Sequence, residues 1–217
     1  KARAAGITCG NVSNGNGTPE VLAYIRPYID LYKVDLKSFR DKNYRQLGGT
    51  LEAVTRTISG LVSMGVWVEI VTLVIPGFND SEAELRDTAQ FLAGISLDIP
   101  WHVTAFHKDY KMTGPANTTA AQLVRACEIG AEAGLRYVYA GNLPGRVGPW
   151  EDTRCPECKT VVVRRSGYHV QEYRVTDSGN CPACNARVAG YWRSGWTVPE
   201  HDGGLPGRIP RAVRIGT

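Results

Sequence analysis

Short runs of hydrophobic residues alternate with longer amphipathic segments along most of the chain. The runs are rich in Val, Ile, Tyr and Trp and are bounded by Gly, Pro, Asn or Asp. They lie at residues 7–12, 31–36, 66–75, 101–106 and 136–140. Such runs predict buried β-strands. Their alternation with helices predicts right-handed βαβ units and a parallel sheet.

The segments between the predicted strands begin with residues that favour helix starts. The residues expected to cap these helices are Thr18, Thr50, Ser81 and either Thr118 or Thr119. Pro19 suits the first helical position after Thr18. Ser81 and Glu84 also have the spacing of a capping box, in which each side chain bonds the other residue's backbone.

The number of predicted strands favours a partial barrel. A closed barrel of alternating strands and helices needs about eight strands, whereas this pattern gives five. Residues 1–5, with Gly6 as a stop, resemble the last turn of a helix that leads into the first strand. We therefore expect earlier βα units upstream of residue 1. A complete five-stranded open sheet is the alternative.

Four of the six cysteines form two Cys-Pro-x-Cys pairs. Cys155 pairs with Cys158 and Cys181 with Cys184, with 22 residues between the pairs. Two such turns, brought together by a hairpin, close a tetrahedral four-sulfur shell that zinc accepts without redox chemistry. The metal is predicted to be structural because the shell has no open position. Iron in the same shell is the alternative.

The cysteine pairs also divide the chain. The predicted parts are a partial barrel at 1–150, a zinc ribbon at 151–190 and a Gly/Pro/Arg-rich tail at 191–217 that is expected to be mobile. Within the ribbon, hairpin strands are predicted at 161–163 and 168–175, with the turn at 166–167.

Composition narrows the classes of function. The net charge of +4 forms no basic patch, which argues against nucleic acid as the main partner. No run reaches the roughly 18 apolar residues of a membrane span, so no membrane partner is expected. Cysteines at metal spacing indicate a reducing compartment, here predicted to be the cytoplasm. The single Cys9 is expected to serve in packing.

Polar or Gly-rich segments follow each predicted strand. Because the carboxyl ends of parallel strands meet at one edge, these residues are expected to line one rim. The candidate side chains on this rim are Ser13, Asn14, Asp35, Lys37 and His107. The set suits a zwitterionic ligand with a ribose. Gly15 and Gly17 would allow the backbone to approach that ligand closely.

Taken together, the motifs resemble those of a known family. The segments are VSNGNGTPEVL, YKVDLKSF, VEIVTLVIPGFNDSEAEL, WHVTAFHKDYKM, YVYAGNLPG and the two CPxC pairs. They are similar to the C-terminal part of the AmmeMemoRadiSam-system radical SAM enzymes, relatives of the pyruvate formate-lyase activating enzymes. The resemblance implies a partial (β/α)6 barrel. It also implies that S-adenosylmethionine lies across the strand tops, against a [4Fe–4S] cluster.

The resemblance assigns a role to each rim residue. It places Ser13 and Asn14 beside the methionine part of the cofactor, and Asp35 and Lys37 at a pair whose lysine meets the carboxylate. It places Ile75 on the strand end that packs against the adenine. His107 matches a histidine near the cofactor.

The same resemblance implies a reaction and partners. In the full enzyme, reductive cleavage of S-adenosylmethionine starts hydrogen-atom abstraction from a substrate. The electron donor is expected to be a flavodoxin or ferredoxin, and the substrate can be a protein, a peptide or a small molecule. The family's Cys-x3-Cys-x2-Cys cluster loop does not occur in the sequence. We expect the loop upstream of residue 1 and the chain alone to be inactive.

Two other functions are consistent with the residues. Arg164 and Arg165 beside Tyr168 could contact phosphate and stack a base, which would make the ribbon a nucleic-acid- or protein-binding module. Alternatively, Asp35, Lys37 and His107 could perform acid–base or Schiff-base chemistry in an ordinary barrel enzyme, since a lysine can form an imine.

Overall fold

The computed structural model describes residues 1–192 and Val198, and five parallel strands form one sheet within them. The strands are β1 (Gly10–Ser13), β2 (Leu31–Asp35), β3 (Trp67–Val74), β4 (Trp101–Ala105) and β5 (Val138–Gly141). Their order in the sheet is the order in the chain. All five predicted strands are therefore present, and their carboxyl ends lie along one edge.

Helices connect these strands. They are α1 (Pro19–Ile25), α2 (Asp41–Gln46), α3 (Leu51–Ser63), α4 (Glu82–Ile95) and α5 (Ala120–Glu132). The side-chain oxygens that cap four of them belong to Thr18, Thr50, Ser81 and Thr119. The predicted caps are thus confirmed, with Thr119 rather than Thr118 beginning α5.

The capping box predicted at Ser81 and Glu84 is only half formed. The Ser81 hydroxyl accepts a hydrogen bond from the Glu84 amide, but the Glu84 carboxylate does not return to the helix start. It accepts instead from the Ser38 hydroxyl and the Phe39 amide in the loop after β2. Glu84 is 4% exposed. A buried carboxylate needs partners of this kind, so a tertiary contact replaces the local one.

The helices cover one face of the sheet. Fully buried strand residues on this face pack against Leu61 of α3, Leu92 of α4 and Leu123 of α5. These strand residues are Val34, Ile70, Trp101 and Val103. Each such side chain contributes about 1.5–3 kcal/mol through burial. The opposite face, called the open face below, carries partly exposed polar residues on alternate positions of the same strands.

A small antiparallel sheet follows the parallel one. Its strands among the described residues are β6 (Thr153–Arg154), β7 (Val161–Ser166) and β8 (His169–Tyr173). Strand β6 had no counterpart among the predicted elements. Ser166 pairs with His169, so the two-residue turn lies at 167–168, one residue later than predicted. We call the segment 151–192 the cysteine module.

The predicted fold class is confirmed as α/β, with five parallel strands followed by a small module. Of the tail predicted at 191–217, Tyr191, Trp192 and Val198 are described and the rest lies outside the described residues. The Trp192 indole donates to the Val188 carbonyl at 2.8 Å and its ring lies 6.0 Å from that of Tyr173. Trp192 therefore packs on the cysteine module.

No helix in the described part of the chain combines the length and the apolar composition that a membrane crossing requires.

Replacing Glu84 with Ala should destabilise the fold. The substitution leaves the buried Ser38 hydroxyl and Phe39 amide without their acceptor, which should lower the free energy of unfolding by about 1–3 kcal/mol. Urea denaturation followed by circular dichroism measures the change. Glu82→Ala is the matched control, because Glu82 is exposed in the same helical turn and pairs with Arg125 at the surface. Equal losses in the two variants would contradict the burial argument.

Candidate functional site

The open face of the sheet forms one wall of a cavity of about 1300 Å³. Residues from all five parallel strands line it, together with the hairpin of the cysteine module. Its lining includes the ionisable and aromatic residues Lys33, Asp35, Lys37, Trp67, Glu69, His102, Tyr139, Arg165 and Tyr168. The volume is large enough for a cofactor and a further small molecule.

Asp35 lies between two lysines at the carboxyl end of β2. The Lys37 Nζ donates a hydrogen bond to Asp35 Oδ2 at 3.3 Å. The Lys33 Nζ lies 2.7 Å from Asp35 Oδ1. The two groups form an ion pair, but their alignment is not that of a hydrogen bond. Asp35 and Lys37 therefore share one side of the sheet, and a charge of each sign faces the cavity.

The backbone of Lys37 is fixed from two directions. Its amide donates to the Tyr44 hydroxyl at 2.9 Å, and its carbonyl accepts from Asn79 Nδ2 at 2.8 Å. Burial raises the pKa of Tyr44 to about 12, so this hydroxyl stays protonated. Asn79 is itself buried and also donates to the Leu73 carbonyl at 2.8 Å. Lys37 is thus presented from a rigid support, which favours precise contact with a ligand.

Ser13 and Asn14 shape the turn after β1. The Ser13 hydroxyl accepts from the Gly15 amide at 3.1 Å, and Asn14 Oδ1 accepts from the Asn16 amide at 3.2 Å. Gly15 has φ 77°, and a Cβ there would lie 2.7 Å from Val34 Cγ1. The left-handed backbone and the packing against Val34 are each enough to require glycine at this position. Neither Ser13 nor Asn14 is among the described residues that line this cavity or the smaller cavity beside His107.

Ile75 and His107 follow β3 and β4 at the same edge. The Ile75 amide donates to Asn79 Oδ1 at 2.7 Å. His107 is exposed and lines a smaller cavity of about 300 Å³, to which Arg146 also contributes. The structure therefore places His107 beside a second cavity and not in the wall that holds Lys37.

Asn142 connects the two cavities and was not among the predicted site residues. It lines both, so Lys37 and His107 occupy neighbouring spaces. Its backbone is left-handed, with φ 65°, and its side chain donates to the Ala105 carbonyl at 3.1 Å. The signal in the sequence was the Gly-Asn-Leu-Pro-Gly segment after the last strand, because asparagine tolerates this backbone region.

Polar residues also occupy strand interiors on the open face. Lys33 lies opposite Glu69 in the β2–β3 register. Glu69 Oε2 lies 2.9 Å from His102 Nε2, and Glu69 Oε1 accepts from the Trp67 indole at 3.0 Å. Burial acts to raise the pKa of Glu69, but the hydrogen bonds from His102 and from the Trp67 indole act against it, and this pKa lies below its usual value. The carboxyl group is therefore ionised near neutral pH.

The polar row continues from the sheet into the cysteine module. The His102 ring stacks on Tyr139, with centroids 5.0 Å apart. The Arg165 guanidinium lies 5.3 Å from the Tyr139 centroid and donates to Thr153 Oγ1 at 2.8 Å. The Tyr139 hydroxyl is 3.0 Å from the same Thr153 oxygen. Strands of a parallel sheet are normally apolar on both faces. Polar residues at alternate positions of these strands were therefore the sequence signal for this polar row, which the sequence-based prediction missed.

The four paired cysteines converge at one point. Their Sγ atoms all lie within 4.8 Å of one another, with 3.5 Å between Cys155 and Cys184 and 3.7 Å between Cys158 and Cys181. A tetrahedral shell with metal–sulfur bonds of 2.3 Å has sulfurs about 3.8 Å apart. Hydrogen bonds with the Thr160 hydroxyl and backbone lower the pKa of Cys158 to about 6. A backbone hydrogen bond at Ala186 acts to lower the pKa of Cys184, but the neighbouring thiols outweigh it and raise this pKa to about 12. The group fits one four-coordinate metal ion.

The two cysteine turns have the same local geometry. The Lys159 amide donates to the Cys155 carbonyl at 3.1 Å, and the Asn185 amide donates to the Cys181 carbonyl at 2.9 Å. Lys159 and Asn185 both have left-handed backbones, with φ 62° and 60°. Each turn therefore presents its cysteines in the same way, which accounts for the shared Cys-Pro-x-Cys spacing.

Comparison with known proteins gives one sequence relative. No family model matches the chain. An uncharacterized protein from Methanocaldococcus jannaschii is 30% identical over 189 residues, which are 86% of this chain and 56% of that protein. The chain thus spans little more than half the length of this relative.

Solved structures identify the fold. A domain of pyruvate-formate lyase-activating enzyme from Bacteroides vulgatus is similar, with a TM-score of 0.56, at 19% identity, over 64% of this chain and 84% of that chain. A radical SAM methyltransferase from Sphaerobacter thermophilus matches with a TM-score of 0.46, at 15% identity, over 64% of this chain and 42% of its own. The first likeness shows that the two chains share a fold.

We expect the purified protein to contain about one tetrahedral metal ion per chain. Removing one ligand with Cys184→Ala should lower the metal content severalfold, because three thiolates close no four-coordinate shell. Inductively coupled plasma mass spectrometry measures both the content and the identity of the metal. Cys9→Ala is the control, since the Cys9 thiol lies outside the group and donates only to the Ile7 carbonyl. Full metal content in Cys184→Ala would contradict the assignment.

Proposed function

We propose that this chain supplies part of the S-adenosylmethionine cradle of a radical SAM enzyme. The supporting observation is Lys37, fixed beside Asp35 at the carboxyl end of β2 and facing a cavity of about 1300 Å³. The fold shared with the domain of an activating enzyme agrees with this reading. We further propose that the protein belongs with the AmmeMemoRadiSam-system enzymes and their glycyl-radical-activating relatives.

The donor set fits the amino-acid end of this cofactor. An α-amino acid carries one carboxylate and one ammonium group, and Lys37 and Asp35 offer one charge of each sign. In this proposal Lys37 binds the carboxylate, while Ser13 and Asn14 hold the turn that borders the methionine part. Ile75 borders the adenine at the end of β3.

The second cavity suits the rest of the cofactor. His107, Asn142 and Arg146 line it and supply hydrogen-bonding groups for ribose hydroxyls and ring nitrogens. When bound, S-adenosylmethionine with a [4Fe–4S] cluster supplies the one-electron chemistry that starts hydrogen-atom abstraction. The residues of this chain bind the cofactor, orient it and exclude water.

The cysteines of this chain do not fit the catalytic cluster. Burial raises the pKa of the Cys127 thiol well above its usual range, and the single Cys9 thiol donates to the Ile7 carbonyl. The group itself is a closed shell. We therefore propose that the cluster ligands come from outside these 217 residues and that the chain alone is inactive.

The four-cysteine group is proposed to hold zinc. Its shell has no open coordination position, and the surrounding module is too small for a core of its own, so a structural ion serves better than a redox centre. A flavodoxin or ferredoxin as electron donor and a cytoplasmic location belong to the same proposal.

The two other functions have less support. Arg164 lies 3.9 Å from Asp152 and 3.5 Å from Glu172, and Arg165 is engaged with Thr153. Both guanidinium groups thus have partners within the module, which disfavours a phosphate-binding role. Lys37 is held as an ion pair, and an ammonium group cannot attack a carbonyl carbon to form an imine.

Lys37→Ala should weaken the use of S-adenosylmethionine. A lost charge-assisted hydrogen bond costs about 1.5–3 kcal/mol, so the KM for the cofactor should rise by about ten- to a hundred-fold. The measurement is 5′-deoxyadenosine release by the complete enzyme, reconstituted with iron and sulfide without oxygen and reduced with dithionite.

Lys42→Ala is the matched control, because Lys42 is exposed on α2. An unchanged KM in Lys37→Ala would refute the role of this lysine. A complete enzyme that contains the cluster and releases no 5′-deoxyadenosine would refute the proposed function. The 217-residue chain by itself should show no turnover, and robust cleavage by it would show that its own residues hold the cluster.

A further inference from the structure

The Glu69–His102 pair has no part in the proposed cofactor cradle. It lies within β3 and β4, away from the carboxyl edge that holds Lys37, and it lines the same cavity of about 1300 Å³. We propose that this pair is a substrate-binding site, in which His102 Nδ1 accepts a hydrogen bond from a hydroxyl or N–H group on a ligand with an aromatic or apolar body.

The acceptor role follows from the contact of the other ring nitrogen. His102 Nε2 lies 2.9 Å from Glu69 Oε2, and an ionised carboxylate can only accept. In the neutral imidazole this contact assigns the proton to Nε2, which leaves a lone pair on Nδ1. Within residues 1–192, no side chain or backbone group donates to Nδ1. The ring is 31% exposed, so a ligand in the cavity can reach it.

Glu69 is a positioning residue for this acceptor. Its second oxygen accepts from the Trp67 indole at 3.0 Å, so both carboxylate oxygens are engaged and the group is held in place. The Tyr139 ring stacks on one face of the imidazole and restricts its rotation. An imidazole fixed by a carboxylate and a neighbouring ring can orient a donor or take up its proton.

The surroundings of the pair favour a partly apolar ligand. Val71 and Leu73 follow Glu69 on the same face of β3 and line the cavity, and Leu73 is 36% exposed. Trp67 and Tyr139 add aromatic surface on either side. Ligand sites commonly combine such apolar walls with a few placed polar groups.

The cysteine module completes the site. Its hairpin turn places the fully exposed Tyr168 at the cavity, and Arg165 covers Tyr139. A ligand over His102 would therefore contact both the sheet and the module. This geometry by itself supports a binding site, whereas the identification of its ligand as the substrate rests on the proposed function.

Phenol and toluene are a matched pair of probes, since they share a ring and differ in the hydroxyl donor. We expect the 217-residue chain to bind phenol about two- to ten-fold more tightly than toluene, the worth of one hydrogen bond. Titrations of the chain with ¹⁵N-labelled histidine should move the His102 Nδ1 resonance with phenol and leave it in place with toluene. His102→Phe assigns that resonance and should reduce the preference to about one.

Glu69→Ala tests the positioning role. It should weaken the preference for the Nε2-protonated tautomer, which the ¹⁵N shifts report directly, and lower the preference for phenol. Glu52→Ala, at an exposed position of α3, should change neither. A merely structural role for Glu69 would leave the tautomer unchanged.

Three results would overturn the proposal. They are equal binding of phenol and toluene, an unchanged phenol preference in His102→Phe, and a proton on Nδ1 of the neutral ring. The probes are measured without S-adenosylmethionine, so a failure of cofactor cleavage leaves this test intact. Loss of the phenol preference would in turn leave the proposed binding of the cofactor by Lys37 unaffected.

Discussion

The covering of only one face of a parallel sheet is the constraint on which the rest of this structure depends. Parallel sheets normally bury both faces, and their strands are then apolar throughout. Here helices cover the face that carries strand residues such as Trp101, and the open face keeps access to water. Charged groups can therefore occupy strand interiors, provided that each has a partner, as Glu69 has in His102 and Lys33 in Asp35.

The cysteine module shares its packing with the sheet. Tyr137, which directly precedes β5, is buried in the apolar cluster of the module, and its hydroxyl accepts from the Ala189 amide at 2.9 Å. Glu151 accepts from the Gly145 and Gly167 amides, which ties the loop after β5 to the hairpin turn. A metal ion bound by the four cysteines would therefore also order one wall of the cavity.

Local patterns determined part of the candidate site. The side chains of Asp35 and Lys37 share a face because alternate residues of a strand do so, and this period is visible in the sequence. The Glu69–His102 pair depends instead on the register between β3 and β4, where Val71 lies opposite His102. Register is set by the packing of whole elements, so no local pattern could bring these two side chains together.

The sequence by itself determined the five strands, the helix caps and the four-cysteine metal group, because each depends on residues close together in the chain or on cysteine spacing. Only the tertiary structure decided which face of the sheet stayed open and which partners the buried polar groups took. Glu84 illustrates the difference: its spacing from Ser81 predicts a local cap, yet burial directs it to Ser38. A buried carboxylate must find donors wherever the packed chain provides them, and that choice is made by contacts between distant residues.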